Sequence, residues 1–265
     1  MPIGPLDYPA SPPLARRNQV LARGVSASEL VHGLSRKEFV AVFQPYVNAL
    51  TGKVVAIEAT LRWQHPRRGC LVPADFVCEA DQQGLLDQLA IELIDQAALA
   101  AARWQGTASA CVGALCAVPL VVSLSGGLLR SGAARRHLAS YSGLQEGRAG
   151  VVLGLDDFFG GAQLEKIDLG DCCDTRDALD QALACRLTPW ATVVTNIGTI
   201  LQWYAVAERG LQFVQGDFIC PPTRATSVDT ALRRWQSSFR AISACSEISS
   251  LNPHKGTLCV SLHSP

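Results

Sequence analysis

The sequence predicts an α/β fold in which a parallel, barrel-like sheet is built from strands that alternate with helices. Three observations predict it. Residues 54–63 read V-V-A-I-E-A-T-L-R-W, a β-branched apolar run of the kind that makes a strand buried on both faces, ending in a carboxylate, an arginine and a tryptophan. Further apolar runs recur at 39–47, 120–125, 151–158, 191–196 and 213–219, with segments of helical period between several of them. The length of 265 residues suits one barrel domain or two small domains. Within residues 54–63, Glu58 and Arg62 mark a strand end that reaches a site, because a lone buried charge costs on the order of several kcal/mol unless paired or metal-bound.

The elements follow in order. Residues 1–25 hold five prolines and the basic pair Arg16-Arg17 without any period, and read as a disordered leader. Ser26 and Glu29 have the spacing of a capping box, so a short helix starts there and ends near Lys37. Strands are expected at 39–47 and 54–63, then a loop through His65 and Pro73, and helix from Phe76. The longest helix spans 84–104, with Leu86, Leu89, Leu93, Ala97 and Ala100 on one face and Asp87, Gln88, Glu92 and Gln96 largely on others. After the strand at 191–196, a helix over 199–208 stops at Gly210. A helix over 177–186, capped by Thr175, and a last helix over 228–242, with Leu232, Trp235, Phe239 and Ile242 in one stripe, complete the pattern. That stripe serves either packing on the barrel or a partner. Residues 246–265 form a polar tail.

Composition narrows the function classes. Lys plus Arg and Asp plus Glu both number 23, so no basic stripe points to nucleic acid. Ten cysteines are scattered without zinc spacing, and the leader lacks the apolar core of a signal peptide, which together read as reduced, mostly buried thiols in the cytoplasm. Residues 107–129 carry no charge and are long enough to span a bilayer, but Pro119, the glycines and the β-branched centre favour a loop and a buried strand. No membrane contact is expected.

Phe43-Gln44-Pro45-Tyr46-Val47, the turn Thr51-Gly52-Lys53, the triplet Glu58-Ala59-Thr60, then Gln64-His65-Pro66 and Pro73-Ala74-Asp75-Phe76, together resemble the opening of the EAL domain, the bacterial cyclic di-GMP phosphodiesterase family. The resemblance covers residues 26–104 closely and continues in patches to 222. It implies a TIM-like (β/α) barrel of EAL type over 26–245, and the interval from Ser123 to Lys166 is too short for it by about one strand-helix unit.

The resemblance also implies a site. Glu58, Asp156 and Asp157 match metal ligands, and Lys166 matches a lysine of the active site. Gln44, Leu61, Arg62 and Gln215 match nucleotide contacts, and a guanidinium suits phosphate oxygens through paired hydrogen bonds. Ser123 stands where the family has a ligating asparagine, and Asn196 where it has a ligating glutamate. Another ligand-bearing strand has no counterpart: residues 151–158 take the place either of the aspartate-pair strand or of the earlier glutamate strand. Magnesium or manganese needs several oxygen ligands, so the depleted set leaves Glu58 either as a weak metal ligand or as a relic paired with Lys166 or Arg62. Arg62 in turn serves a phosphate or a neighbouring acid. His65 reads as a structural loop residue.

The resulting expectation is a catalytically inactive EAL-domain signalling protein that needs no cofactor and regulates gene expression, of the virulence or motility type, through a protein partner. Cyclic di-GMP binding stays open, and so does a homodimer, although Phe159-Gly160-Gly161 alters the loop that the family uses in dimerisation. The alternative is a weak cyclic di-GMP phosphodiesterase dependent on Mg or Mn.

Overall fold

The computed structural model of the chain describes residues 24–106, 118–123, 132–141, 151–153, 165–170, 175–184 and 192–244. Helix α1 (Ala27–Ser35) starts on the expected capping box, with the Ser26 hydroxyl accepting from the Glu29 amide and the Glu29 carboxylate accepting from the Ser26 amide. Val25, at the end of the segment expected to be a leader, is buried against the first core. Strands β1 (Phe39–Asn48) and β2 (Val54–His65) form an antiparallel hairpin around Gly52, whose φ of 65° is open to glycine at little cost.

The hairpin modifies the expected parallel strand. β2 is parallel only to β4 (Leu120–Val122) on its other side, and from Glu58 onward its burial alternates instead of being complete on both faces. A short strand, β3 (Gly69–Leu71), pairs back onto β2 where a loop was expected. Three residues carry no period, so only the pairing reveals it. Helices α2 (Val77–Gln82) and α3 (Leu86–Gly106) follow, and α3 buries Leu89, Leu93, Ala97 and Ala100 as the periodicity requires.

Beyond β4 come α4 (Gly132–Ala139), β5 (Val151–Leu153), β6 (Glu165–Asp168), α5 (Thr175–Ala184) and β7 (Thr192–Thr195). Thr175 is the first helical residue of α5 and not its cap. Helix α6 (Ile200–Glu208) has its own capping box, Thr199 with Gln202, and Gly210 follows at φ 69°. Strand β8 is only Phe213–Val214, shorter than expected, because the chain turns at Gly216: the Ile219 and Cys220 amides both donate to the Gly216 carbonyl. Helix α7 (Val228–Ala244) buries Leu232 and Trp235, and Trp235 donates to the Gly52 carbonyl at 2.9 Å. The stripe therefore packs on the barrel.

All eight strands belong to one sheet, in the order β5-β4-β2-β1-β8-β7-β6 with β3 beside β2. Tyr46, Ala56, Val121 and Val193 cluster together, which brings β1, β2, β4 and β7 around one interior and shows the sheet curled into a truncated α/β barrel. Outside it lie two larger cores, one between β1, β2 and helices α1, α3 and α4, the other between β7, β8 and helices α5 to α7. No helix among the described residues is long and apolar enough to cross a membrane; residues 107–117 and 124–129 of the uncharged stretch lie outside them. Of the three described free cysteines only Cys220 is buried, Cys70 is half-buried and Cys78 exposed, so mostly buried thiols is not what these positions show.

Candidate functional site

Strand alternation decides which side chains meet. Along β2, Ile57, Ala59, Leu61 and Trp63 point into the helix-side core, so Glu58, Thr60 and Arg62 point the other way. Glu58 lies opposite Gln44 on β1 and beside Val121 on β4, and Lys166 lies beside Val193 on β7. Val121 and Val193 are interior residues, which places Glu58 and Lys166 in the same interior.

There the Glu58 carboxylate is held from the far side of the barrel. Its Oε2 accepts from the Gln215 amide at 2.9 Å, and its Oε1 lies 3.7 Å from the Lys166 ammonium. Its side chain is 12% exposed and that of Lys166 45%. Tyr46, two residues after Gln44 on β1 and fully buried, brings its hydroxyl close to Glu58 and Gln215. Burial, and then the charge of Glu58, push its phenol well above the ordinary range.

Arg62 and Gln44 face a second acid. Gln44 donates to Asp217 at 3.3 Å and to the Cys220 carbonyl at 2.9 Å. Arg62 donates to the Leu61 carbonyl at 3.1 Å, and its charge, together with the Gln44 amide, opposes the desolvation that raises the Asp217 carboxyl. Burial, then the Asp217 charge, push the Cys220 thiol up to about 12, which keeps it an unreactive thiol. Of the two pairings open to Glu58, the one with Lys166 is formed.

At the strand ends, Ser123 donates its amide to the Ala59 carbonyl at 3.0 Å. Asn196, at φ 61°, donates its side-chain amide to Asp168 Oδ1 at 2.5 Å, and the Gly170 amide donates to the same oxygen at 2.8 Å. The asparagine thus binds a carboxylate where the family supplies one. Leu61 is fully buried in the helix-side core, so its side chain is withdrawn from this face. His65 is structural: Nδ1 accepts the Arg67 and Arg68 amides at 3.2 and 3.1 Å, and Nε2 faces Glu29 at 3.4 Å.

Asp156 and Asp157 lie outside the described residues. Among those that are described, no three His, Cys, Asp or Glu side chains converge as a metal site, and both Glu58 oxygens already face nitrogen donors. The described donors alone do not make up the several oxygen ligands that Mg or Mn needs. Sequence reasoning passed over Tyr46, Asp168 and Asp217 as site residues. The signal for Tyr46 was present, since a period of two from Gln44 sets it on the same strand face. Asp217 sits in a turn after β8, where no period applies.

The EAL domain family model matches residues 27–162, just over half of the chain. The cyclic di-GMP phosphodiesterase RocR of Pseudomonas aeruginosa is 35% identical over 86 residues, which are 30% of this chain and 22% of that protein. The bifunctional diguanylate cyclase/cyclic di-GMP phosphodiesterase MucR of the same organism is 36% identical over 69 residues, 26% of this chain and 10% of that protein. For three further curated relatives the match spans 9–29% of their own length. A solved structure of the PaMucR phosphodiesterase in its c-di-GMP complex superposes with a TM-score of 0.54 at 20% identity, covering 79% of this chain and 99% of that one. A hairpin of β1 and β2 carrying Gln44, Glu58 and Arg62, a curled sheet around it and the family match over 27–162 lead to one assignment: the chain belongs to the EAL domain family.

Proposed function

We propose that this chain is an EAL-domain signalling protein that does not hydrolyse cyclic di-GMP and regulates gene expression, of the virulence or motility type, through contacts with a protein partner in the cytoplasm. One observation supports it above the others: Glu58, the carboxylate of the family triplet, is engaged by Lys166 and Gln215. Ser123 and Asn196 add no charge at two matched ligand positions, so fewer carboxylates are left to offset a divalent cation. Incubating the chain with cyclic di-GMP and Mg or Mn, and separating products chromatographically, tests this. No turnover above that of Glu58→Ala is expected; metal-dependent turnover abolished by Glu58→Ala would establish the weak phosphodiesterase instead.

Cyclic di-GMP binding without hydrolysis is a second reading, favoured by Gln44, Arg62 and Gln215 lying on strands and turns that meet at one seam. Calorimetric titration with calcium and again with chelator distinguishes it. Binding in both conditions, lost in Arg62→Ala, makes the chain a receptor, and no binding in either leaves the partner protein as its sole output.

A further inference from the structure

Helix α7 covers the turn that precedes β2, whereas Ser123 follows the end of β4, which runs parallel to β2, so the helix lies at the other end of the barrel from the candidate site. Trp235 donates to the Gly52 carbonyl there, and the Phe239 ring lies against Gly52. Val228, Leu232 and Trp235 are buried, so the apolar stripe is committed to this packing. The opposite face of α7 carries Arg233, Arg234 and Arg240, all exposed, with the small Ser237 between them.

Over the whole helix three arginines stand against one aspartate, although the chain as a whole is neutral. Asp229 is bound by Arg233 within the helix, and Arg234 and Arg240 meet no acid among the described residues. Cations on other helices differ: Arg176 pairs with Glu208 and Arg209 with Asp180 between α5 and α6. Lys53, exposed in the turn that α7 covers, adds a further positive charge at this end. A guanidinium takes a carboxylate through two parallel hydrogen bonds, and Arg233 and Arg240, seven residues apart, are separated by about 10 Å along the axis. A nucleic-acid duplex fits poorly, since tight binding uses roughly 6–10 phosphate contacts, more than this face supplies. A lipid surface fits poorly too, because the apolar side of the helix is already buried and leaves nothing to insert.

We propose that the arginine face of α7 docks an acidic segment of a partner protein, one whose carboxylates recur about every 10 Å. The proposal rests on the reading that the chain works through protein contacts, and it adds where the contact is made.

The test is fluorescence anisotropy of the full chain with a labelled helical peptide bearing glutamates at seven-residue spacing, and with a permuted peptide in which the same glutamates are gathered at one end. Wild type is compared with Arg233→Ala/Arg234→Ala/Arg240→Ala, with Arg234→Glu/Arg240→Glu and with the control Arg36→Ala, and circular dichroism reports folding. Alanine suits an exposed helix position, so the triple variant is expected to fold. Wild type and the control are expected to bind the spaced peptide, the triple variant roughly tenfold or more weakly, and the charge-reversed variant not at all. Raising the ionic strength should weaken the wild-type complex. Absence of binding by wild type, unchanged binding by the triple variant, or equal binding of the permuted peptide overturns the proposal. So does tighter binding of duplex DNA, or of vesicles of phosphatidylcholine and phosphatidylserine, than of the peptide. Turnover of cyclic di-GMP with Mg would remove the proposed lack of catalysis without altering these binding data, so the two readings fail separately.

Discussion

In the half of the molecule built on β1 and β2, the strands pair from Phe39↔Trp63 to Val47↔Val54, and the contacts are local in sequence. In the half built on β6, β7 and β8, pairing is parallel, and β7 meets β8 only at Val193↔Phe213 and Val194↔Val214. An antiparallel hairpin closes over a short turn, whereas each parallel pair needs a crossover helix before any hydrogen bond forms. The second half therefore depends on its helices, through the Trp203, Phe218, Trp235 and Phe239 cluster, where the first stacks Phe39 on Trp63 directly beside the hairpin. The two halves join through Val47↔Val214 and Asn48↔Phe213 and through the polar seam of Gln44, Glu58, Lys166 and Gln215.

Truncating each half's central tryptophan gives the largest expected effects. Trp63→Ala and Trp203→Ala both empty fully buried sites and are expected to cost about 4 kcal/mol each in urea unfolding. Their transitions should differ. Trp203→Ala is expected to separate the fluorescence and far-ultraviolet dichroism curves, because the hairpin half retains its own core, while Trp63→Ala keeps them coincident. Coincident curves in both variants would mean that the seam couples the halves fully.

Glycine replacements sharpen the contrast. At Gly216 a Cβ would lie 2.2 Å from both the backbone nitrogen and the carbonyl oxygen of Ile197, so Gly216→Ala is expected to cost about 3 kcal/mol. At Gly33 a Cβ would lie 2.8 Å from the Trp63 ring nitrogen, but alanine also gains about 1 kcal/mol of helix propensity there. A smaller loss for Gly33→Ala than for Gly216→Ala is the expected order in thermal melts, and the reverse order would show the hairpin half to be the more rigid.

Gln96 lends the first half a further support. Its side-chain amide accepts from the Ala41 amide at 2.7 Å and donates to the Phe39 carbonyl at 2.9 Å, standing in for a neighbouring strand along β1. Gln96→Leu should cost about 2 kcal/mol in chemical unfolding by leaving two backbone groups unmet. A neutral result would mean that water reaches this edge.

The smallest effect concerns acid. Hydrogen bonding from the Ser26 amide, reinforced by the Ser26 hydroxyl, Arg68 and His65 against the opposing effect of burial, lowers the Glu29 carboxyl from 4.5 to about 2. The stabilisation is complete above pH 4.5 and is lost as pH falls toward 2. Glu29→Gln should thus be less stable than wild type at pH 6 and converge with it near the acid end. A gap in unfolding midpoint that persists unchanged at low pH would assign the loss to the cap geometry alone.

The residues read from sequence divide along the same line. The capping box at Ser26, the periodic face of α3, the strands β1 and β2 and the EAL resemblance were legible, because each is encoded by spacing within a few residues. β3, the end of β8 at Val214 and the antiparallel setting of β1 were not, because three-residue strands and strand direction carry no local signature.

What the sequence by itself determined is therefore the set of elements and the chemistry available to them: Gln44, Glu58, Arg62, Lys166 and Gln215 as polar residues at strand ends. Tertiary structure alone decided their partners. Glu58 lies 157 residues from Gln215, so whether it meets Lys166, Arg62 or an acid depends on how far the sheet curls. Curling set it against Lys166, turned Leu61 into the core, joined Asn196 to Asp168 and left the Tyr46 hydroxyl facing inward, since side-chain direction follows from strand register and register is fixed by packing of the whole barrel.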